Sequence, residues 1–254
     1  MNVGPSGRSA VDKPLAGCVA AVTGASLGVG RAAALAFARA GADLVLCARG
    51  PEINAVAHEA EAQGARVLAR CCDVTERAAV RRFGRLDILV NNAAVLGPRV
   101  TLAEFPAADF ARVLDVNIQG VFHATQAALE FSMLKRRAGI IINMSSGVGR
   151  VGFARGGAYT VSKFALEGLT QVAAKELKDS GIGVCSFNPG MVRTRMRAAW
   201  APGEDPTTLK SPDALGPQFV ALVTAGMSCA GRCYCVTADG MLAELQPPEG
   251  TVNR

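Results

Sequence analysis

The 254-residue chain is short of the groups that several functions require. It holds one Trp and two Tyr, and aromatic residues make up 5% of it. A surface that stacks on nucleic-acid bases is therefore poorly supplied, and a pI near 9 with a formal charge of +6 does not replace one, so no nucleic-acid partner is expected. Only two His are present, and Cys229, Cys233 and Cys235 have neither a His nearby nor a second Cys pair, so no metal site is expected. No apolar run reaches the roughly 18 residues of a membrane span. Residues 1–13 lack the apolar stretch of a signal peptide and read as a loose tail ahead of one domain over 14–254. No repeat, low-complexity tract or interdomain linker interrupts that domain. The cytosol is the expected location, with an organelle left open.

What the chain has is apolar alternation. Half of its residues are hydrophobic and 19% are charged, the balance of a globular protein. Short apolar runs at 18–22, 43–47, 66–71, 88–91, 140–144, 183–188 and 232–236 read as buried strands. Helical patterns at 30–40, 53–63, 75–83, 107–136, 158–179 and 212–225 lie between them. Strand–helix alternation predicts an α/β fold, a single doubly wound (Rossmann) parallel sheet of about seven strands with helices on both faces. Cys18, Cys47, Cys71, Cys72 and Cys185 fall in or beside the apolar runs and are expected to be small buried hydrophobes of a reducing compartment. The irregular stretch 191–211 has the composition of a substrate loop.

The first predicted strand runs into Thr23-Gly24-Ala25-Ser26-Leu27-Gly28-Val29-Gly30 and then an Ala-rich helix. Glycines there permit a tight turn and close backbone approach, and the helix start offers unpaired N–H groups to a pyrophosphate. Thr23, Gly24, Ser26, Leu27, Gly28 and Gly30 are the candidate cradle. An acidic residue at the end of the second strand would favour NAD. Cys47-Ala48-Arg49 has none, and Arg49 offers charge to a 2′-phosphate, so NADP(H) is expected over NAD(H).

Tyr159 and Lys163 stand at i and i+4, which puts a phenol and an ammonium on one helix face. A cation beside a phenol favours the phenolate and tunes it for acid–base work. Thirteen residues before Tyr159, Ser146 follows a predicted strand, at the sheet edge where ligands bind in such folds.

These motifs resemble the short-chain dehydrogenase/reductase family in its common form of about 250 residues. TGASLGVG (23–30), Asp73-Val74, NNAA (91–94), VNIQG (116–120), Ser146, YTVSK (159–163) and NPGMVRT (188–194) occur in the family's order across nearly the whole chain. The resemblance implies that Tyr159 is the general acid, that Lys163 binds the nicotinamide ribose and lowers the tyrosine pKa, and that Ser146 hydrogen-bonds the developing alkoxide. It implies a proton relay to Lys163 through a water held by Asn117, which also reads as a helix-kink residue. It places Asp73 and Val74 at adenine and Asn91 through Ala93 along the cofactor, with Asn91 also tying strands. It sets Val192 and Thr194 at the nicotinamide carboxamide, with Pro189 and Gly190 of the same motif among the contacts. Ala94 replaces the usual Gly, and 73–87 looks about two turns short of the family's fourth helix.

The expected function is hydride transfer between NADP(H) and a small-molecule carbonyl or alcohol by a homodimer or homotetramer. A ketoacyl-thioester reductase is the alternative specificity, since Arg193, Arg195 and Arg197 could attract an acidic carrier. A dinucleotide sensor without turnover is the alternative class. Phe153, Met191, Met196 and Trp200 point to an apolar substrate pocket.

Overall fold

The computed structural model describes residues 13–76 and 85–246. The tail over 1–12, most of the predicted helix 75–83 with its apparent shortening, and the last eight residues lie outside them.

The strands are β1 (Val19–Thr23), β2 (Asp43–Ala48), β3 (Val67–Cys71), β4 (Ile88–Asn91), β5 (Gly139–Met144), β6 (Ile182–Asn188), β7 (Cys233–Val236) and β8 (Leu242–Leu245). They form one sheet in the order β3-β2-β1-β4-β5-β6-β7-β8. Every neighbouring pair is parallel except β7 and β8, an antiparallel hairpin. The sheet therefore has eight strands, one more than the apolar runs predict. The eighth is a four-residue edge strand whose register follows from the turn in which Met241 N donates to Thr237 Oγ1 at 3.0 Å.

Side chains alternate across the sheet, and both sides are buried. Ala20, Val22, Leu44, Leu46, Ile88, Val90, Ile140, Ile142, Cys185 and Phe187 join one core with α1 (Gly28–Arg39), α2 (Ile53–Glu61) and α8 (Gly216–Ala225). Ala21, Val45, Leu89, Ile141 and Val184 join the other with α4 (Gly120–Ala128) and α6 (Gly157–Glu176). Phe219 of α8 packs edge-on against Phe37 of α1 and Phe187 of β6, with ring centroids 6.1 and 5.2 Å away. This two-sided burial is why the strands read as continuous apolar runs.

The long helix expected over 107–136 is a rod with two widened turns. α3 (Ala107–Leu114) passes through a π turn (Asp115–Gln119) into α4, and a second π turn (Leu129–Met133) leads to α5 (Leu134–Arg136). Val113 and Met133, near its two ends, are both buried. The 191–211 stretch holds a short helix, α7 (Arg195–Trp200), and is tied down by a bridge between Val192 and Lys210.

The expectation of buried free cysteines fails at Cys47, Cys72 and Cys71. Cys47 and Cys72 are joined by a disulfide across the ends of β2 and β3. The parallel register sets Cys47 opposite Arg70, two residues from Cys72, with the two Cα atoms 6.0 Å apart. Cys71 is exposed, whereas Cys185, Cys229 and Cys233 are buried as free thiols.

Candidate active site

The strand order reverses between β1 and β4, and both run on from their C-terminal ends into loops that line a cavity of about 490 Å³. Ligands bind in such crevices in open α/β sheets. The cradle residues Gly24, Ser26, Leu27 and Gly28, after β1, stand between Arg49, Asp73 and Val74, after β2 and β3, and Ser145, Tyr159, Lys163, Pro189 and Thr194, on the side of β5 and β6.

The glycines of the cradle are needed for space. A Cβ on Gly30 would lie 2.4 Å from both Asn92 Nδ2 and Gly24 O. Gly28 has φ +57°, in the left-handed region. The start of α1 has no side-chain cap and no acidic residue in its first turn, so its amide groups are left for an anion. Arg49 is exposed at the same end. Asp73, the carboxylate in the lining of the cavity, accepts from Thr75 N at 3.0 Å and Thr75 Oγ1 at 2.9 Å. Those bonds, with the charge of Arg49, hold Asp73 below the usual carboxylate range despite partial burial.

Some predicted contacts lie behind the cavity lining. Thr23 is buried, and its Oγ1 accepts from Asn92 N at 3.0 Å and Ala93 N at 3.1 Å while donating to Val90 O. One hydroxyl thus fixes the β4 loop against the cradle. Asn91 is buried, and its Nδ2 donates to Thr125 Oγ1 at 3.1 Å and Asn143 Oδ1 at 2.9 Å, the strand-tying half of its expected role. Gly190 and Val192 line a smaller adjoining cavity of about 160 Å³ instead. Asn92, which the motif alone does not separate from its neighbour, fronts the main cavity and donates to Thr23 O and Gly24 O at 2.9 and 3.0 Å. The alternation of β4 is the signal that distinguishes them: Asn91 and Asn92 must point opposite ways.

At the other end, Ser146, the serine favoured by spacing, lies beside Tyr159 and its hydroxyl favours the phenolate. Lys163 is buried; its Nζ donates to Met144 O at 2.7 Å and lies 5.5 Å from the Tyr159 ring centroid. Burial pushes Lys163 down to about 8, with the negative charge of Glu167 acting against that fall. Burial also raises Tyr159 above its ordinary value, opposed by the Ser146 hydroxyl. The expected lowering of the tyrosine is therefore absent from this arrangement, because desolvation outweighs that hydroxyl.

Asn117 is buried in the first π turn. Its Oδ1 accepts from Val95 N at 2.8 Å, and its Nδ2 donates to Val95 O at 3.0 Å and Ser162 Oγ at 2.9 Å. Its side chain thus joins the β4 loop to the tyrosine-bearing helix, and a relay to Lys163 would have to use a backbone atom of the turn. Ser162 in turn donates to Tyr159 O at 2.7 Å.

The smaller cavity opens beside Tyr159 and is lined by Leu96, Val148, Met196 and Trp200. The Trp200 ring lies 5.7 Å from that of Tyr159 and 6.0 Å from that of Phe153, and the Arg99 guanidinium sits 4.8 Å from its centroid. Met191 is exposed at the rim. Arg197 is engaged by Glu204 at 2.5 Å, whereas Arg193 and Arg195 are exposed.

Residues 18–205 match the family model described as short chain dehydrogenase. The oxidoreductase YciK of Escherichia coli K12 is 38% identical over 215 residues, spanning 80% of this chain and 84% of that protein. The NADPH-dependent pterin aldehyde reductase of Arabidopsis thaliana is 34% identical over 216 residues, 81% of this chain and 88% of that one. A short-chain dehydrogenase from Shigella flexneri 2a, solved in complex with NADP, superposes with a TM-score of 0.81 at 34% identity and covers 88% of this chain and 98% of its own.

Proposed function

The chain belongs to the short-chain dehydrogenase family, and we propose that within it the protein is an NADP-dependent carbonyl reductase acting on a small molecule. The observation that carries this reading is that Tyr159 and Lys163 line the cavity that also holds Arg49 and the glycine cradle, with Ser146 beside Tyr159 in the smaller adjoining cavity. The cofactor fits the residues present: a Cβ at Gly30 would close the cradle, and Arg49 lines the same cavity as a cation that would hold a 2′-phosphate, with Asp73 turned to Thr75. The NADP bound to the Shigella relative and the NADPH dependence of the Arabidopsis relative support the same choice.

When bound, the dinucleotide supplies hydride. Tyr159 gives its phenolic proton to the carbonyl oxygen, and Ser146 donates a hydrogen bond to that oxygen as charge grows on it. Lys163, protonated below about pH 8, binds the nicotinamide ribose and stabilises the tyrosinate left behind. Asn117 keeps the helix and the β4 loop in place, and a water held beside it would carry a proton to Lys163.

Leu96, Val148, Met196 and Trp200 suit an apolar carbonyl substrate. The thioester alternative is weakened at Arg197, already neutralised by Glu204. Phe122, Val161, Phe164 and Val172 are large exposed apolar residues on α4 and α6 and support a homo-oligomer. Among the described residues no helix is long and apolar enough to cross a membrane, and we place the protein in the cytoplasm.

The test is fluorescence titration with NADPH and NADH, followed by a screen of carbonyl substrates. Tighter NADPH binding with turnover is expected. Tyr159→Phe should lower kcat by about 10²–10⁴ while leaving NADPH affinity within threefold. Binding without turnover on any carbonyl would favour a sensor, and no binding would end the reductase reading.

A further inference from the structure

Glu167 is a buried carboxylate that the chemistry above does not use. It stands at i+4 from Lys163 and i+8 from Tyr159, on the same face of α6. Its Oε1 accepts the Ser145 hydroxyl, and its Oε2 accepts Ser186 Oγ at 2.8 Å. Cys233 of β7 adds a weaker thiol contact at 3.6 Å. Three strands thus meet one carboxylate on the helix that carries the tyrosine and lysine.

Ser145 immediately precedes Ser146, lines both cavities, and is fixed to β6 by its own N–H, which donates to Phe187 O at 2.8 Å. A buried charge without partners is costly, and an apolar residue of similar volume often serves stability as well as a buried ionic cluster does. Stability alone therefore gives little reason for a carboxylate here, whereas its bonds hold Ser145, the residue next to Ser146, against the helix that carries Tyr159 and Lys163.

We propose that Glu167 is a positioning residue for carbonyl reduction: it pins the end of β5, and with it Ser146, to the face of α6 that presents Tyr159 and Lys163, and it keeps a negative charge one turn behind the lysine. This rests on the reductase reading above. The titratable and charged groups around it are Lys163 on its own helix and Cys233 from β7, with Arg150 beyond Cys233. β5 and β6 contribute the neutral hydroxyls of Ser145 and Ser186. Removing the carboxylate charge leaves Lys163 with burial alone, so its titration moves to lower pH.

The decisive variant is Glu167→Gln, which keeps the shape and, because serine hydroxyls both donate and accept, keeps the hydrogen bonds. We expect a melting temperature within a few degrees of wild type and NADPH affinity within threefold. Carbonyl KM should change little while kcat falls about tenfold, and the basic limb of the rate profile should move down by about one pH unit. A second readout needs no turnover: the ¹³Cε NMR signal of Lys163, assigned by its loss in Lys163→Arg, should titrate at lower pH in Glu167→Gln. Unchanged kcat with an unchanged lysine titration would overturn the proposal. So would a variant in which melting temperature, NADPH affinity, KM and kcat all decline together. If the wild-type protein reduces no carbonyl, the reductase reading fails, and the lysine titration still decides whether Glu167 tunes Lys163. Should Glu167→Gln not fold, Ser186→Ala removes one arm alone: a severalfold drop in kcat at constant KM supports the proposal, and wild-type kcat overturns it.

Discussion

Lys163 reaches past Tyr159 to the backbone: its ammonium donates to Met144 O at 2.7 Å while standing 5.5 Å from the tyrosine ring centroid. The carbonyl at the end of β5 thus holds the cation beside the phenol, at the depth where burial has already weakened its hold on a proton.

That weakened hold sets the pH dependence. Lys163 is charged below about 8 and neutral above it, well below the range of a free lysine. Its positive charge favours the tyrosinate, so kcat/KM for carbonyl reduction should fall as pH rises through about 8. Whatever activity Lys163→Arg retains should show no break there, because an arginine stays charged. Steady-state rates between pH 6 and 10 check both statements.

Arg49 should govern the choice of cofactor. It is exposed beside Asp73 at the end of the cavity away from Tyr159. Bonds to a charged group contribute about 1.5–3 kcal/mol, so Arg49→Ala should weaken NADPH on the order of ten- to a hundredfold. NADH should change little. The ratio of the two fluorescence titrations is the measurement, and an equal loss for both would remove Arg49 from 2′-phosphate recognition.

Gly30→Ala should cost cofactor affinity through the cradle. The new methyl would press on Asn92 Nδ2 and Gly24 O, each 2.4 Å away. Asn92 is itself bonded to Thr23 O and Gly24 O and has little freedom to yield. Overpacking of this kind costs about 1–3 kcal/mol. Thermal melting should show the loss, and NADPH titration should show at least tenfold weaker binding.

Asp87 should set part of the acid limit of the fold. Burial pushes its carboxyl upward, but bonds from Val19 N, Arg136 and Arg85 outweigh it and hold the carboxyl below the usual range. Its folded pKa is therefore lower than its unfolded one. The stability it contributes is present above the unfolded value, near 4, and is lost as pH falls through the lowered folded value. Asp87→Asn should cost about 1–3 kcal/mol at pH 7, a gap that closes on acidification. Urea unfolding at pH 7 and pH 3 measures both ends.

Much of this architecture is legible in the amino-acid order. Apolar runs mark buried parallel strands, and seven of the eight appear within a residue or two of where the pattern puts them. Strand, glycine loop and helix in succession place the cradle at the start of α1. The features that stay hidden depend on partners far along the chain. Leu242–Leu245 has no apolar alternation of its own and becomes a strand by pairing with β7. The Cys47–Cys72 bond depends on the β2–β3 register, which composition does not encode. Glu167 lies one helical turn beyond Lys163, so its face can be read, but the two serines it binds come from different strands.

The two π turns give the rod a built-in phase correction. Val113 and Met133 are twenty positions apart and both buried. At about 100° per residue, an unbroken α-helix would turn them about 200° away from each other and leave one in water. Each π turn absorbs one extra residue, so the pair behaves as if eighteen positions apart, five full rotations, and both side chains face inward. Losing one residue from the Asp115–Gln119 turn would therefore turn it into an ordinary α turn and leave the later positions of the rod in phase, whereas losing one from α4 between the two turns would swing every later position by about 100°.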